Sequence, residues 1–401
     1  MKKPFPFSHL PHARRRRRSI SSEKRKKSMA ATAAGDAVAE QEQLLLHLKL
    51  AFLAREAPAC VLALARKAGG GSITPHVQNF ILESCTGNNA GGDQNCTYAT
   101  TILKRIIAEA ELSSDIVIDG LYEEFGQFMS SKSNNSSFNR AHKIHKEISF
   151  LSPTNDNKLV SLIARLSCSI NMLEGDTGCS LWPSSLFLSE FILSYPKIFS
   201  KKCCFELGSG VGLVGVCLNY VGASKVILTD GDASAIVNMK ANMEMNNLCV
   251  KQEGSQLLKE NKNKVQCKYL SWEEASESDL WDCRPDLVLG ADIIYDPVCV
   301  PHLIRVLYML LRRGNNRGIN NVANKEETSN EFSSSATEVP VAYIATVIRN
   351  VETFNCFDKA AADAKLSVVN ITNSEAPSSL LPYMLSYDRS SVQLLKITLL
   401  S

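Results

Sequence analysis

No stretch of apolar residues in this chain reaches the ~18 positions a membrane-spanning helix requires, which excludes a helix-spanned membrane protein. The thirteen cysteines include no Cys-x-x-Cys pair, so neither a zinc-ribbon framework nor a thioredoxin-like redox motif is written here. Nor is there an apolar signal-peptide segment, and the cysteines are expected to be free, mostly buried thiols in a reducing compartment. Seven histidines show no metal-ligand spacing beyond His142-x-x-His145 in a polar stretch, and no metal site is expected. Basic charge is scarce outside the first 28 residues. These carry eleven Lys/Arg against Glu23 alone, leaving 33 basic and 40 acidic residues for the rest. A mildly acidic body lacks the footprint of a nucleic-acid binder.

What is present is enough apolar residue to bury a large core. The 401 residues are 45% hydrophobic and 21% charged, which fits about two folded units. The first 40 residues hold two basic clusters, Arg14 to Arg18 and Lys24 to Lys27, then an Ala/Gly-rich stretch. They cannot form a core and are expected to be a disordered basic tail. Three readings of it stay open: a solvated extension, a nuclear-import or polyanion-binding signal, and an organelle transit peptide. Met29 is an alternative start that would remove the tail.

Residues 41–130 read as a small helical domain. Leu44, Leu45, Leu48 and Phe52 form one stripe, Pro58 opens a second helix, and Thr74-Pro75 looks like a cap with proline at the first helical position. Ile102, Ile106 and Ile107 mark another helix, and Leu121, Phe125 and Phe128 the last. Asparagine-rich loops, Gly87 to Asn95 and Ser130 to Asn139, interrupt them. Residues 131–175 read as a linker and a strand hairpin, with Ile148 to Phe150 and Leu162 to Ile170 as its strands. From 176 to 401 short apolar strands alternate with helices, the pattern of a doubly wound parallel α/β sheet. Leu366 to Ile371 and Val392 to Leu399 have no helix between them, so an antiparallel pair should close the sheet. Glu253 to Lys264 and Gly314 to Glu338 read as surface loop insertions.

The chemistry is concentrated at the strand ends, where ligands of parallel α/β sheets bind. Glu206-Leu-Gly-Ser-Gly-Val-Gly-Leu213 follows the apolar run Cys203 to Phe205 and leads into a helix, so backbone amides can approach a ligand closely. Gly208 and Gly210 fit a dinucleotide fingerprint, but the position of its third glycine is Leu213. A pyrophosphate cradle is therefore disfavoured, and Glu206 suits a cationic or hydroxyl-bearing ligand instead. Asp230 ends the next strand and can accept hydrogen bonds from both ribose hydroxyls of an adenosine; Asp232 is the better helix cap. Trp272 follows the third strand, where an aromatic face can cover an adenine ring. Trp182, before an amphipathic helix, can cover the cofactor from the other side, with cation–π attraction to a sulfonium. The fourth strand runs through Gly290 and Ala291 directly into Asp292, and Tyr295 follows three residues later. A carboxylate and an aromatic ring around a methyl donor suit an amine nucleophile. Asp296 is the better cap for the helix that follows.

With these pieces placed, the chain resembles the seven-stranded S-adenosylmethionine-dependent lysine methyltransferases that carry a D-x-x-Y motif after the fourth strand. More narrowly it is similar to the eukaryotic elongation factor 2 lysine methyltransferases. That narrower likeness rests on Leu121-Tyr-Glu-Glu124, Thr177-Gly178 with Leu181-Trp-Pro183, Ala345-Thr-Val-Ile-Arg-Asn350 and Leu381-Pro-Tyr383. The resemblance implies a Rossmann-like sheet and S-adenosyl-L-methionine as cofactor. Cofactor contacts would fall on Trp182, Gly208, Ser209, Gly210, Asp230, Trp272 and Ala291, with Glu206 at the head of the glycine turn. Asp292 and Tyr295 match the catalytic D-x-x-Y positions. The implied partner is a folded protein, elongation factor 2, met by a cytoplasmic monomer, with the basic tail leaving the nucleus open. A small-molecule or nucleic-acid methyltransferase would share the cofactor site; amide- and base-directed enzymes typically show an Asn-Pro-Pro-Tyr-like turn where this chain has Asp-Ile-Ile-Tyr. A non-catalytic cofactor-binding module is the remaining alternative.

Overall fold

A computed structural model describes residues 35–86, 93–113, 116–133, 143–152, 159–169, 177–248, 265–280, 284–312 and 339–400. The expectations for residues 1–34, His142 and the two loop insertions at 253–264 and 314–338 lie outside these. No helix among the described residues is long and apolar enough to cross a membrane.

The apolar stripes of the N-terminal third fold as expected. Helix α1 spans 35–53, α2 Pro58–Ala68, α3 Pro75–Ile81, α4 Asp93–Leu112 and α5 Asp119–Ser133. Pro58 and Pro75 open their helices, but Thr74 makes no side-chain cap bond. α3 ends earlier than its pattern suggests, widening into a π turn at Leu82–Thr86. Both asparagine-rich stretches give up an end to helix, since α4 already includes Asp93 to Asn95 and α5 runs through Ser130 to Ser133.

Strands β1 (Lys143–Leu151) and β2 (Val160–Ser169) form the antiparallel hairpin. After it come α6 (Pro183–Ser194), α7 (Pro196–Phe199), β3 (Cys203–Leu207), α8 (Leu213–Tyr220), β4 (Lys225–Asp230), α9 (Ala233–Met245), β5 (Val265–Tyr269), β6 (Leu287–Ala291), α10 (Val300–Arg312), β7 (Val341–Val347), α11 (Val351–Asp363), β8 (Leu366–Asn370) and β9 (Val392–Leu399). The seven-stranded sheet has the order β5-β4-β3-β6-β7-β9-β8. Only β9 runs against the rest, inserted between β7 and β8 and antiparallel to both.

Side-chain alternation along the strands explains the layers. Cys204, Val226, Leu228, Leu287, Leu289 and Tyr343 face one core, which α6, α8 and α9 cover. Phe205, Ile227, Val288, Ala342 and Ile344 face the other, covered by α10 and α11. The strand order reverses between β3 and β6, whose turns leave toward opposite faces. Such a switch point opens a crevice at the carboxyl ends of the strands.

The first core does not stop at the sheet. Leu48, Phe52, Ile102, Leu103, Phe150 and Leu166 belong to the same continuous cluster as Phe191 and Leu218. Each fully buried aromatic or aliphatic side chain contributes roughly 1.5–3 kcal/mol, so the helices and the hairpin stabilise the sheet they cover. Both free edges of the hairpin are also occupied, which removes a template for strand addition. On β2, Asn246 exchanges two hydrogen bonds with the Arg165 backbone (2.9 and 2.7 Å), while Asn242 Oδ1 accepts from Ser167 N–H (2.8 Å) and Asn238 Nδ2 donates to Ser167 O (2.8 Å). These asparagines, four residues apart along α9 and its C-cap, mimic a strand. On β1, Ser149 N–H donates to the Tyr383 hydroxyl (2.8 Å) and Leu151 N–H to Leu380 O (2.9 Å).

Candidate functional site

The glycine turn closes β3 at the crevice floor. Gly208, Gly210 and Gly212 all have left-handed φ, at 63°, 52° and 82°. At Gly210 a Cβ would lie 3.0 Å from Gly178 O, so the turn and the Thr177–Cys179 segment meet backbone to backbone. Gly212 is the N-cap of α8, and a Cβ there would strike Met243 Cε at 2.6 Å. The helix is thus seated against α9 by Gly212 rather than by a glycine one residue later, and Leu213 is free to be a core residue, 1% exposed.

Asp230, at the end of β4, grips the turn. Its Oδ2 accepts from Gly210 N–H at 2.9 Å and its Oδ1 from Asp232 N–H at 3.1 Å. Burial pushes its carboxyl up, and these backbone donors pull it back. Asp232 itself caps α9, accepting from Ser234 N–H at 2.7 Å. Ser209, expected to contact a ligand, also bonds to β4. Its Oγ accepts from Thr229 N–H (3.0 Å), and its N–H donates to Thr229 O (2.8 Å), tying the turn to β4.

Glu206 is the only carboxylate on its strand, 1% exposed, and faces the first core with Cys204. Its Oε2 has no hydrogen-bond partner among the described residues. Desolvation pushes its carboxyl from 4.5 up to about 8, with Ser209 opposing and Asp230 adding to the shift. An orphaned buried carboxylate oxygen beneath a turn of left-handed glycines fits a ligand that brings a cation to the turn. On this observation the residues fit S-adenosylmethionine.

Trp272 lies across the turn from Gly178, its Cζ2 3.6 Å from where a Gly208 Cβ would be. Half-buried, it also packs on the second core, and Arg305 Nη2 donates to both Trp272 O and Glu273 O at 2.8 Å. Trp182 is the N-cap residue of α6 and donates from Nε1 to Thr177 O at 3.1 Å, fixing its ring beside the turn. Ala291, half-buried, ends β6 in register with Ala345 of β7.

Asp292 follows immediately, with φ at 57°. A non-glycine residue in this region costs on the order of 1–3 kcal/mol, and such strain concentrates at functional sites. The side chain is 5% exposed and already engaged. Arg349 donates to both oxygens, Nη1 to Oδ1 at 3.1 Å and Nη2 to Oδ2 at 2.9 Å, and Val347 N–H reaches Oδ1 at 3.3 Å. Arg349 was legible in the sequence only as part of a segment of resemblance, and its pairing was not. Tyr295, 61% exposed, stands at the mouth. Partial burial of its phenol oxygen, with Cys299, Asp230 and Asp296 nearby, pushes its pKa up. Asp296, read as the cap of the following helix, instead closes the turn before it: it accepts from Val298 N–H at 2.9 Å, while α10 begins only at Val300.

Comparison with known proteins agrees with this geometry. The family model described as lysine methyltransferase matches residues 164–339. An uncharacterized protein of Dictyostelium discoideum is 35% identical over 237 residues, 55% of this chain and 59% of that protein. Human protein-lysine N-methyltransferase EEF2KMT is 25% identical over 261 residues, 65% of this chain and 68% of its own length. Protein-lysine N-methyltransferase EFM3 of Chaetomium thermophilum is 32% identical over 151 residues, 36% of this chain and 42% of its own. The chain thus spans about three fifths of the length of the first of these relatives.

Proposed function

We propose that this chain, which over residues 164–339 belongs to the lysine methyltransferase family, methylates a lysine of elongation factor 2. The observation that carries the chemical part is the meeting of two neighbouring strand ends: the glycine turn after β3 and Asp292 after β6, held in register by Leu207 opposite Gly290. When bound, S-adenosylmethionine supplies a methyl group activated by its sulfonium. Glu206, Gly208, Gly210 and Asp230 would hold it, with Trp272 and Trp182 on either side and Ala291 at the floor. Ser209 would serve by tying the turn to β4.

The remaining work belongs to the chain. A lysine amine with a pKa of about 10.4 is almost wholly protonated at neutral pH and must give a proton to water before its lone pair can form the new N–C bond as the S–C bond breaks. Asp292 and Tyr295 would align that amine at the crevice mouth. The choice of elongation factor 2 is supported by the printed names of relatives such as human EEF2KMT and by the four segments of resemblance. In this reading residues 1–40 are a tail, and 41–130 form a helical unit that docks a folded substrate. The hairpin within 131–175 joins that unit to the catalytic domain, 176–401. Tyr122 and Glu123 of α5, both exposed, are available for that docking. The enzyme would act as a monomer in the cytoplasm.

The test is incubation of the purified full chain with S-adenosylmethionine and purified elongation factor 2, followed by mass spectrometry of its lysines. A lysine methylated by the wild type and not by Asp292→Asn is the expected result. Elongation factor 2 left unmodified while another protein or a small molecule is labelled would overturn the substrate and keep the chemistry. No labelling of anything would overturn both.

A further inference from the structure

The D-x-x-Y carboxylate presents a problem if taken alone. An unpaired anion ~4–6 Å from the target amine would raise the amine pKa by about 1–3 units, which keeps the nucleophile protonated. The structure pairs that anion. Arg349 meets Asp292 through a bidentate fork, the geometry that makes arginine–carboxylate pairs strong and directional. The guanidinium is held on its other side as well, 5.2 Å from the Trp182 ring centroid, within cation–π range. Its backbone is fixed by Asn350, which caps α11 by accepting from Glu352 N–H (2.8 Å) and Thr353 N–H (3.3 Å). With its side chain 44% exposed, Arg349 lies at the crevice wall and not in the core.

We propose that Arg349 is a positioning residue for methyl transfer: by pairing with Asp292 it fixes the carboxylate and cancels its charge, so that the target amine is aligned without being retained as an ammonium. This rests on the lysine methyltransferase reading above. The other titratable groups near this spot are Tyr295, Asp296 and Cys299 on the loop after β6, and Asp230 at the end of β4. Of the charged groups named on these elements, Arg349 is the cation that offsets the acids.

The experiment compares wild type, Arg349→Ala and Arg349→Lys on purified elongation factor 2, with kcat measured at saturation from pH 6.5 to 9.5 and cofactor affinity by calorimetry. Loss of Arg349 should move the acid limb of kcat up by roughly 1–3 pH units. Activity should therefore fall ~10- to 1000-fold near neutrality and recover at alkaline pH, with cofactor affinity unchanged. Lysine should restore part of the profile, because it returns the charge without the fork. A loss equal at every pH, or a lysine variant no better than alanine, would make Arg349 merely structural and overturn the inference. Faster turnover of the alanine variant at neutral pH would make it a latch, with the same consequence. A wild type that leaves elongation factor 2 unmodified would fail the functional reading first, and this inference with it.

Discussion

Arg349 and Asp292 lie 57 residues apart in the chain, yet the guanidinium meets both carboxylate oxygens at 3.1 and 2.9 Å. The pairing depends on β6 and β7 being neighbours, since Asp292 follows the end of one and Arg349 the end of the other. Asp292 N–H donates to Ala345 O at 2.9 Å, so the strand ladder itself delivers the carboxylate to the arginine. Trp182 completes the arrangement from the connection before α6.

Removing the charge of Asp292 while keeping its shape should separate chemistry from binding. Asp292→Asn is expected to leave S-adenosylmethionine affinity within about twofold of wild type and to lower kcat by at least ~100-fold, the scale of a group acting in the transition state. Calorimetry and turnover on the same preparation check this. Near-normal turnover would reduce Asp292 to an anchor for Arg349.

Asp230→Ala should weaken cofactor binding by roughly 1.5–3 kcal/mol, the range for hydrogen bonds to a charged group. The variant also frees Gly210 N–H, so the turn should loosen and exchange its amide hydrogens faster. Full cofactor affinity in a folded variant would remove Asp230 from the site.

Glu206 makes stability depend on pH. Its folded pKa of about 8 lies above the ordinary 4.5. Below 4.5 both folded and unfolded chains are protonated there and the group has no effect. Between 4.5 and 8 only the unfolded chain releases the proton, so the folded state loses stability as pH rises and levels off above 8. Glu206→Gln should therefore melt at a higher temperature than wild type at pH 8.5, with the gap closing toward pH 5. If a ligand cation sits against Glu206, S-adenosylmethionine binding should tighten with pH through about 8 in wild type and not in the glutamine variant. Parallel melting curves across the range would refute the buried-acid assignment.

Asn242 is fully buried and holds three chain segments together. It accepts from Ser167 N–H (2.8 Å) and donates to Val211 O (2.9 Å) in the glycine turn and to Ser167 O (3.2 Å) on β2. Asn242→Ala strands these partners, each at about 1–3 kcal/mol, and should lower stability by at least ~2 kcal/mol in urea unfolding. A loss under ~0.5 kcal/mol would mean that the hairpin docks by apolar contact alone.

A chain beginning at Leu159 should fail to fold. It lacks Phe52, Ile102 and Phe150 of the continuous core and leaves β2 without its partner. Size-exclusion chromatography and circular dichroism should show aggregate or partly folded material, whereas deletion of residues 1–28 should change neither folding nor activity. A monodisperse, cofactor-binding truncation would show that the sheet folds alone.

Much of this protein was readable from residue order because the relevant signals are local. A glycine turn between an apolar strand and a helix, an aspartate about 20 residues on, Asp232 as a cap, and a final strand with no preceding helix are all written within a few consecutive positions. That Ser209 ties the turn to β4 was not readable, because a turn's sequence does not say which of its side chains points back toward the neighbouring strand.

Sequence by itself determined the elements and the positions where strands end at a crevice, for these depend on backbone preferences and apolar period over a few residues. Tertiary structure alone decided which strand ends are neighbours, and so that Arg349 meets Asp292, that Glu206 lacks a partner for one oxygen among the described residues, and that three asparagines of α9 and its C-cap close the edge of β2. Contacts between distant segments depend on strand order and helix register, and neither is encoded in the periodicity of any one segment.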